Sequence, residues 1–176
     1  MRIAITGSSS TGKTTLAKEV SMMDNNLEYL TVDARTIIQS FNIKNIDDLT
    51  PNQFKSFQNE WIIQKKNNET FRDNFITDRS FIDSLAYMRD RDIFDNILEK
   101  ECISNMLQYD IVFYIPFGNI PFQSDGYRIS DISRHKKIDA DIQFLLKKYH
   151  IKYFVIEALT VQDRIDYMMR IINSYE

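Results

Sequence analysis

Gly7-Ser8-Ser9-Ser10-Thr11-Gly12-Lys13-Thr14 sets two glycines, a lysine and a hydroxyl at the spacing G-x-x-x-x-G-K-[ST]. Glycines at both ends let the backbone curl so that successive N–H groups point inward at an anion. The helix expected from Lys13 onward turns the positive end of its dipole toward the same point. Such a run grips a polyphosphate. Gly7, Ser8, Ser9, Ser10, Thr11 and Gly12 supply the cradle and Lys13 neutralises the β and γ phosphates, while the hydroxyl of Thr14, or of Thr15 beside it, meets a bridging magnesium ion. The run follows the strand-like Arg2-Ile3-Ala4-Ile5-Thr6, which is the placement such a loop needs. Multiplying the chain's own residue frequencies over its start positions gives roughly one chance match in a thousand, so ATP with Mg2+ is the expected ligand.

A triphosphate cradle serves switches, motors and kinases, and the residues around the γ-phosphate tell these apart. Ile76-Thr77-Asp78-Arg79-Ser80 ends a strand with an aspartate suited to hold magnesium through water, so Thr14 and Asp78 are the expected metal residues. No glutamate follows to orient an attacking water; Arg79 takes that place, which weighs toward transfer to a bound acceptor. The second half carries no Asn-Lys-x-Asp stretch to select guanine. Asp33-Ala34-Arg35 follows the second expected strand. For a hydroxyl acceptor, Asp33 accepts or orients the proton; for a phosphate acceptor, Asp33 holds a sugar hydroxyl and Arg35 grips the phosphate in a bidentate contact. Plainer readings stand beside these: Asp33 and Asp78 as helix N-caps, Arg35 and Arg79 as surface charges. Phe54, Phe57 and Trp61 fall at helical spacing and read as core before base-stacking platform. His135 and His150 are isolated and expected to be solvated.

The elements that position these residues alternate short apolar runs with longer segments of helical periodicity, the signature of parallel strands joined by crossover helices. Strands are expected at Ile3 to Thr6, Glu28 to Val32, Asn74 to Thr77, Ile111 to Ile115 and Tyr153 to Ile156. Helices are expected at Lys13 to Met22, from Pro51 through the Phe54–Ile62 stripe, and at Ile82 to Arg89, Ile93 to Leu107, Asp139 to Tyr149 and Val161 to Ile172. Phe117 to Lys137 breaks the pattern with Gly118, Pro121, Gly126, Arg128, Arg134, His135, Lys136 and Lys137, and reads as a basic flap or as a plain exposed face. The 176 residues suit one domain. With 43% hydrophobic and 27% charged residues the chain is expected to be soluble and globular. A net charge of -3 argues against broad nucleic-acid binding. The one cysteine, Cys102, cannot form an internal disulfide. No apolar run approaches membrane-spanning length and no secretory leader is visible, so a cytoplasmic protein is expected.

These motifs in this order resemble small phosphate-loop kinases, especially the nicotinamide-riboside kinase domain family and its AAA-type bacterial and phage relatives. The likeness covers nearly the whole chain: the loop, Asp33-Ala34-Arg35, Phe57-Gln58-Asn59-Glu60-Trp61, Asp78, Asp125-Gly126-Tyr127-Arg128 and Asp163-Arg164. Locally, Asp78-Arg79-Ser80 with Ser84-Leu85-Ala86-Tyr87 is similar to thymidylate kinases, and the triplet is also similar to the Glu-Arg-Ser of deoxynucleoside kinases. The resemblance implies a three-layer α/β P-loop NTPase fold, with a five-stranded parallel sheet in the order 2-3-1-4-5. It implies one kinase domain over 1–176, with a lid-like insertion at about 117–137. Arg79 would contact the transferred or acceptor phosphate, Arg128 would be a lid arginine, and Arg164 would lie beside the adenine. Two departures leave the acceptor open: Asp33 stands two residues before Arg35 rather than three, and Ser80 replaces the thymidylate-type aromatic.

The expected activity is γ-phosphate transfer from ATP to a small nucleoside or nucleotide. Lys13, Arg79 and Arg128 would spread positive charge over the transferring group. A homodimer is compatible with this sequence. Two other readings stay open: a kinase for a modified base or terminus of nucleic acid, and a nucleotide-binding module or switch ATPase without an acceptor.

Overall fold

The computed structural model describes residues 1–118 and 131–175. In chain order the elements are β1 (Arg2–Thr6), α1 (Lys13–Met23), β2 (Glu28–Leu30), α2 (Ala34–Ser40), a 3-10 turn (Ile46–Asp48), α3 (Pro51–Glu69) and β3 (Phe75–Asp78). They continue with α4 (Phe81–Asp90), α5 (Asn96–Met106), β4 (Ile111–Tyr114), α6 (Ile132–Lys148), β5 (Phe154–Val155) and α7 (Val161–Asn173). The five strands form one sheet in the order β2-β3-β1-β4-β5, every pairing parallel. This is the α/β P-loop kinase fold with the strand order expected.

A strand covered on both faces must be apolar on both, and β1 is. Ile3 and Ile5 pack with Ile76, Ile111 and Phe113 against Leu16, Val20, Ile165 and Met168 of α1 and α7. Ala4, with Phe75, Val112 and Tyr114, joins a second core with Phe54, Ile62, Ile82, Ile138 and Leu146 of α3, α4 and α6. With β3 on one side of β1 and β4 on the other, the chain reverses direction along the sheet beside the end of β1. Open α/β sheets bind ligands at such switch points.

Most boundaries agree with the periodicity to within a few residues, with two exceptions. Helix α2 is anticipated only through the cap reading of Asp33 and not by periodicity: it buries only Ile37 and Ile38, too few apolar positions to betray a period. Helix α6 begins at Ile132, capped by Asp131, which accepts from the Ser133 amide at 2.7 Å. Arg134, His135, Lys136 and Lys137 therefore ride on helical turns and not on a flap. The rest of the expected insertion, 119–130 with Gly126 and Arg128, lies outside the described residues. His135 is not solvated: it is 0% exposed and stacks on Phe117 with ring centroids 5.6 Å apart. The reason is its register, since His135, Ile138, Asp139 and Ile142 share the buried face of α6. No helix among the described residues is long and apolar enough to cross a membrane.

Candidate functional site

The loop from Gly7 to Gly12 runs from the end of β1 straight into α1. Gly7 (φ 151) passes so close to β4 that a Cβ would stand 2.6 Å from the Ile115 carbonyl oxygen, so a side chain has no room there. Gly12 takes the left-handed conformation (φ 87) as N-cap of α1, turning the loop's last amides inward. Lys13, the first helical residue, is buried and folds back over the curl: its Nζ donates to the Ser8 carbonyl at 2.5 Å and to Thr11 Oγ1 at 3.2 Å. The cation is thus held against the loop by a carbonyl and a hydroxyl oxygen of the loop itself.

Asp78 ends β3 opposite Thr14, whose hydroxyl donates to Asp78 Oδ2. The other carboxylate oxygen, Oδ1, is buried without a partner among the described residues. Ser80, not Asp78, caps α4, so the cap reading of Asp78 is set aside. A hydroxyl facing a half-satisfied carboxylate beside a phosphate cradle fits a magnesium ion, which keeps most of its ligands as water and phosphate. Thr15 has no part in this pairing. No group of three or more His, Cys, Asp or Glu side chains suited to a metal occurs among the described residues.

Arg79 adopts a left-handed backbone (φ 76) that swings its side chain toward the loop. Its Nη2 donates to Ser9 Oγ at 3.1 Å, Nη1 lies 3.6 Å from Asp83, and the guanidinium stands 5.3 Å from the centre of the Tyr87 ring. Burial opposes the charge, but Tyr87, Asp83 and Asp78 outweigh it and raise the pKa, so Arg79 stays cationic. Sequence reasoning missed Asp83. This buried carboxylate accepts from the Thr6 hydroxyl at 2.7 Å, the Gly7 amide at 3.4 Å, the Ser80 amide at 2.8 Å and the Ser80 hydroxyl at 3.0 Å. It ties the end of β1, the loop and the Arg79 turn together. The Ser80-x-x-Asp83 capping-box spacing was its only signal.

A cavity of about 460 Å³ opens beside the loop. Ser9, Thr14, Asp78 and Arg79 line its inner end; Ile38, Ile46, Phe57, Gln58 and Trp61 line its apolar side; Asp33 and Arg35 line its rim. Ser84 Oγ donates to Gln58 Oε1 at 2.7 Å, and Tyr87 shares a 2.7 Å hydrogen bond with Ser9. Phe57 and Trp61 are both core and wall, whereas Phe54 is wholly core. Asp33 caps α2, accepting from the Arg35 amide at 3.0 Å and the Thr36 hydroxyl at 2.7 Å. The Thr36 hydroxyl, with the two amides, lowers its pKa, so Asp33 is a poor proton store but a strong acceptor of hydrogen bonds. The cap reading of Asp33 is correct, and its place at the cavity rim leaves the other role standing.

Arg164 is 2% exposed and lies beneath the loop: Nη1 donates to the Thr11 carbonyl at 3.1 Å and Nε to the Ala158 carbonyl at 2.6 Å. Burial lowers its pKa, and Nη2 has no partner among the described residues. It braces the cradle from below. Arg128 lies outside the described residues.

The profile of a family described as an AAA domain matches residues 2–164. No curated protein matches the chain by sequence. Among solved structures, deoxyadenosine kinase from M. mycoides, with products dCMP and a flexible dCDP bound, superposes with a TM-score of 0.73 at 18% identity, covering 100% of both chains. NadR protein in complex with NR gives 0.73 at 17%, covering 98% of this chain and 50% of NadR. Thymidylate kinase from Ehrlichia chaffeensis gives 0.68 at 14%, covering 98% of each. At these identities the common property is the fold.

Proposed function

We propose, for a chain that belongs to the AAA domain family, that it transfers the γ-phosphate of ATP to a small nucleoside or nucleotide. The observation that carries this reading is the cavity of about 460 Å³ that joins the phosphate loop to a pocket walled by Phe57, Gln58 and Trp61. A motor or switch needs room for a water; this site has room for a planar base and sugar beside the phosphates. The fold relatives named for deoxyadenosine and thymidylate, and NadR in complex with NR, favour the same class of acceptor.

In transfer, the bond from the γ-phosphorus to the β–γ bridging oxygen breaks, and a bond to the acceptor oxygen forms. The protein's part is alignment and charge neutralisation. Loop amides and Lys13 hold the triphosphate, and Arg79, fixed by Ser9, Asp83 and Tyr87, faces the transferring group. Thr14 and Asp78 would hold magnesium, which screens the phosphate charge when bound. Asp33 orients a sugar hydroxyl at the rim by accepting its hydrogen bond; where that hydroxyl is the acceptor, its proton is lost to solvent as the new bond to phosphorus forms. Where the acceptor is a phosphate no proton need move, and Arg35 on the same rim grips it. Arg128, by the resemblance, would add a further positive charge for the transferring phosphate.

The test is mass spectrometry for an added phosphate after incubating the protein and ATP·Mg2+ with deoxyadenosine, thymidine, nicotinamide riboside and their monophosphates. A phosphorylated product made by wild type and lost in Lys13→Ala is expected. ADP formation that no acceptor stimulates refutes the proposal and returns the chain to the nucleotide-binding class.

A further inference from the structure

Outside the phosphate site, charged side chains gather where three elements meet. Asp47, on the 3-10 turn, accepts from Arg134 Nη1 at 2.7 Å and from Arg91 Nη2 at 3.1 Å. Asp90, at the end of α4 and 2% exposed, accepts from Arg134 Nη2 at 2.6 Å and Nε at 3.1 Å, with Lys137 Nζ 3.5 Å away. Arg91 also donates to the carbonyls of Ile46 at 2.8 Å and Leu49 at 3.2 Å, and lies 4.2 Å from the centre of the Phe54 ring.

These groups add charge pairs to a turn that is otherwise held by the Asn45 cap and by the packing of Ile46 and Leu49. None of the residues Ile46–Asp48 is fully buried; Ile46 packs against the core only partly and also forms part of the cavity wall, with the buried Leu49 following it. On its other side Arg91 presses on Phe54, whose ring lies 6.0 Å from that of Phe57, another wall residue. We infer that Arg91 and Arg134 are positioning residues for the acceptor: from the far end of α4 and the first turn of α6 they clasp the Ile46–Asp48 turn as the outer wall of the cavity. This rests on the acceptor reading given above. Arg134 bridges both carboxylates and Arg91 pairs with Asp47, so charge pairs brace the wall beside its apolar packing, and the Arg134–Asp47 pair is open to solvent at 29% and 33% side-chain exposure. Salt screens such charges. An acceptor with no charge of its own therefore binds more weakly as salt rises, which direct contacts to a neutral ligand would not produce.

The experiment uses the full chain, wild type and with Arg134→Met, Arg134→Lys or Asp47→Asn; the last, at an exposed position, stands in if Arg134→Met does not fold. Without acceptor, amide exchange over 46–49 and acrylamide quenching of Trp61, the one tryptophan, read the wall directly. Arg134→Met should speed that exchange about tenfold and raise quenching, and Arg134→Lys should restore part of the loss. With acceptor, Trp61 fluorescence is titrated with deoxyadenosine and with thymidine, both uncharged, at about 0.05 and about 0.5 M NaCl. Wild-type affinity should fall severalfold between the two salts. Arg134→Met should bind about tenfold more weakly at low salt and show a flat salt response, with calorimetric ATP affinity held within about twofold. Unchanged exchange overturns the clasp, and so does a variant whose ATP and acceptor affinities fall together, the mark of general loosening. If neither nucleoside binds wild type, the acceptor reading fails on its own, and the exchange arm alone decides whether the clasp exists.

Discussion

Lys65 and Glu69 lie one helical turn apart on α3 and meet at 2.5 Å, with side chains only 2% and 3% exposed. Lys65 Nζ also donates to Thr77 Oγ1 at 2.7 Å, and it stands 5.5 Å from the centre of the Trp61 ring, 5.3 Å from Phe81 and 6.0 Å from Tyr109. The Tyr109 hydroxyl donates to both Glu69 oxygens, at 2.9 and 3.1 Å. Every charge in this cluster has a partner, and both side chains are almost wholly shielded from solvent. Removing one partner of such a pair leaves an uncompensated buried charge, which costs about 3–5 kcal/mol, whereas removing both charges in matching shapes is close to neutral. Lys65→Met strands Glu69 and should lose that amount. Lys65→Met/Glu69→Gln keeps an acceptor for Tyr109 and should return to within about 1–2 kcal/mol of wild type. For a chain of 176 residues, with about 2–4 °C of melting temperature per kcal/mol, the single variant should melt about 6–20 °C lower. Thermal and urea unfolding give the numbers, and Trp61 fluorescence reports the same event, red-shifting in the single variant and returning in the double. A single variant within about 1 kcal/mol of wild type, or a double variant no better than the single, would refute the claim that the cost is charge stranding.

Three further outcomes follow from the site. Lys13→Ala removes the cation held against the loop and should slow turnover by about 10² to 10⁴ with the fold intact by circular dichroism; unchanged ADP release would remove Lys13 from the chemistry. Asp33→Ser keeps a good N-cap for α2 but deletes the carboxylate, so it should preserve melting temperature and lose acceptor phosphorylation; full activity in Asp33→Ser would make Asp33 a cap only. Burial raises the Asp139 pKa above the ordinary 3.8, against the bonds from Tyr114, Gln143 and the Phe117 amide that favour its charged form. A carboxyl whose folded pKa is raised lends stability that is full below 3.8 and is lost as pH climbs through the raised value. Asp139→Asn should therefore flatten the dependence of melting temperature on pH over that interval; a slope equal to wild type would contradict the assignment.

What could be read before folding and what could not divides by the distance over which the deciding contacts act. The phosphate loop was legible because its constraints are local: Gly7 has no room for a Cβ, Gly12 needs a positive φ, and Lys13 reaches back only five residues to Ser8. The sheet was legible because a strand covered on both faces has to be apolar throughout, and Ile3-Ala4-Ile5 and Ile111-Val112-Phe113 are. Asp83 was not, since its decisive partner Thr6 lies 77 residues away and its own neighbours spell only a helix start. Lys65 and Glu69 carry no signal of burial for the same reason. At i,i+4 spacing they read as a solvated pair, and only Phe81 and Tyr109, arriving from later in the chain, wrap them into the interior. His135 did leave a trace, since it is in step with Ile138 and Ile142, but the lysines and arginine around it masked that period. Residues that a site borrows from distant strands and helices are thus the ones most hidden in the order of amino acids. The Asp83 and Arg134 contacts, each joining elements far apart in the chain, belong to that class.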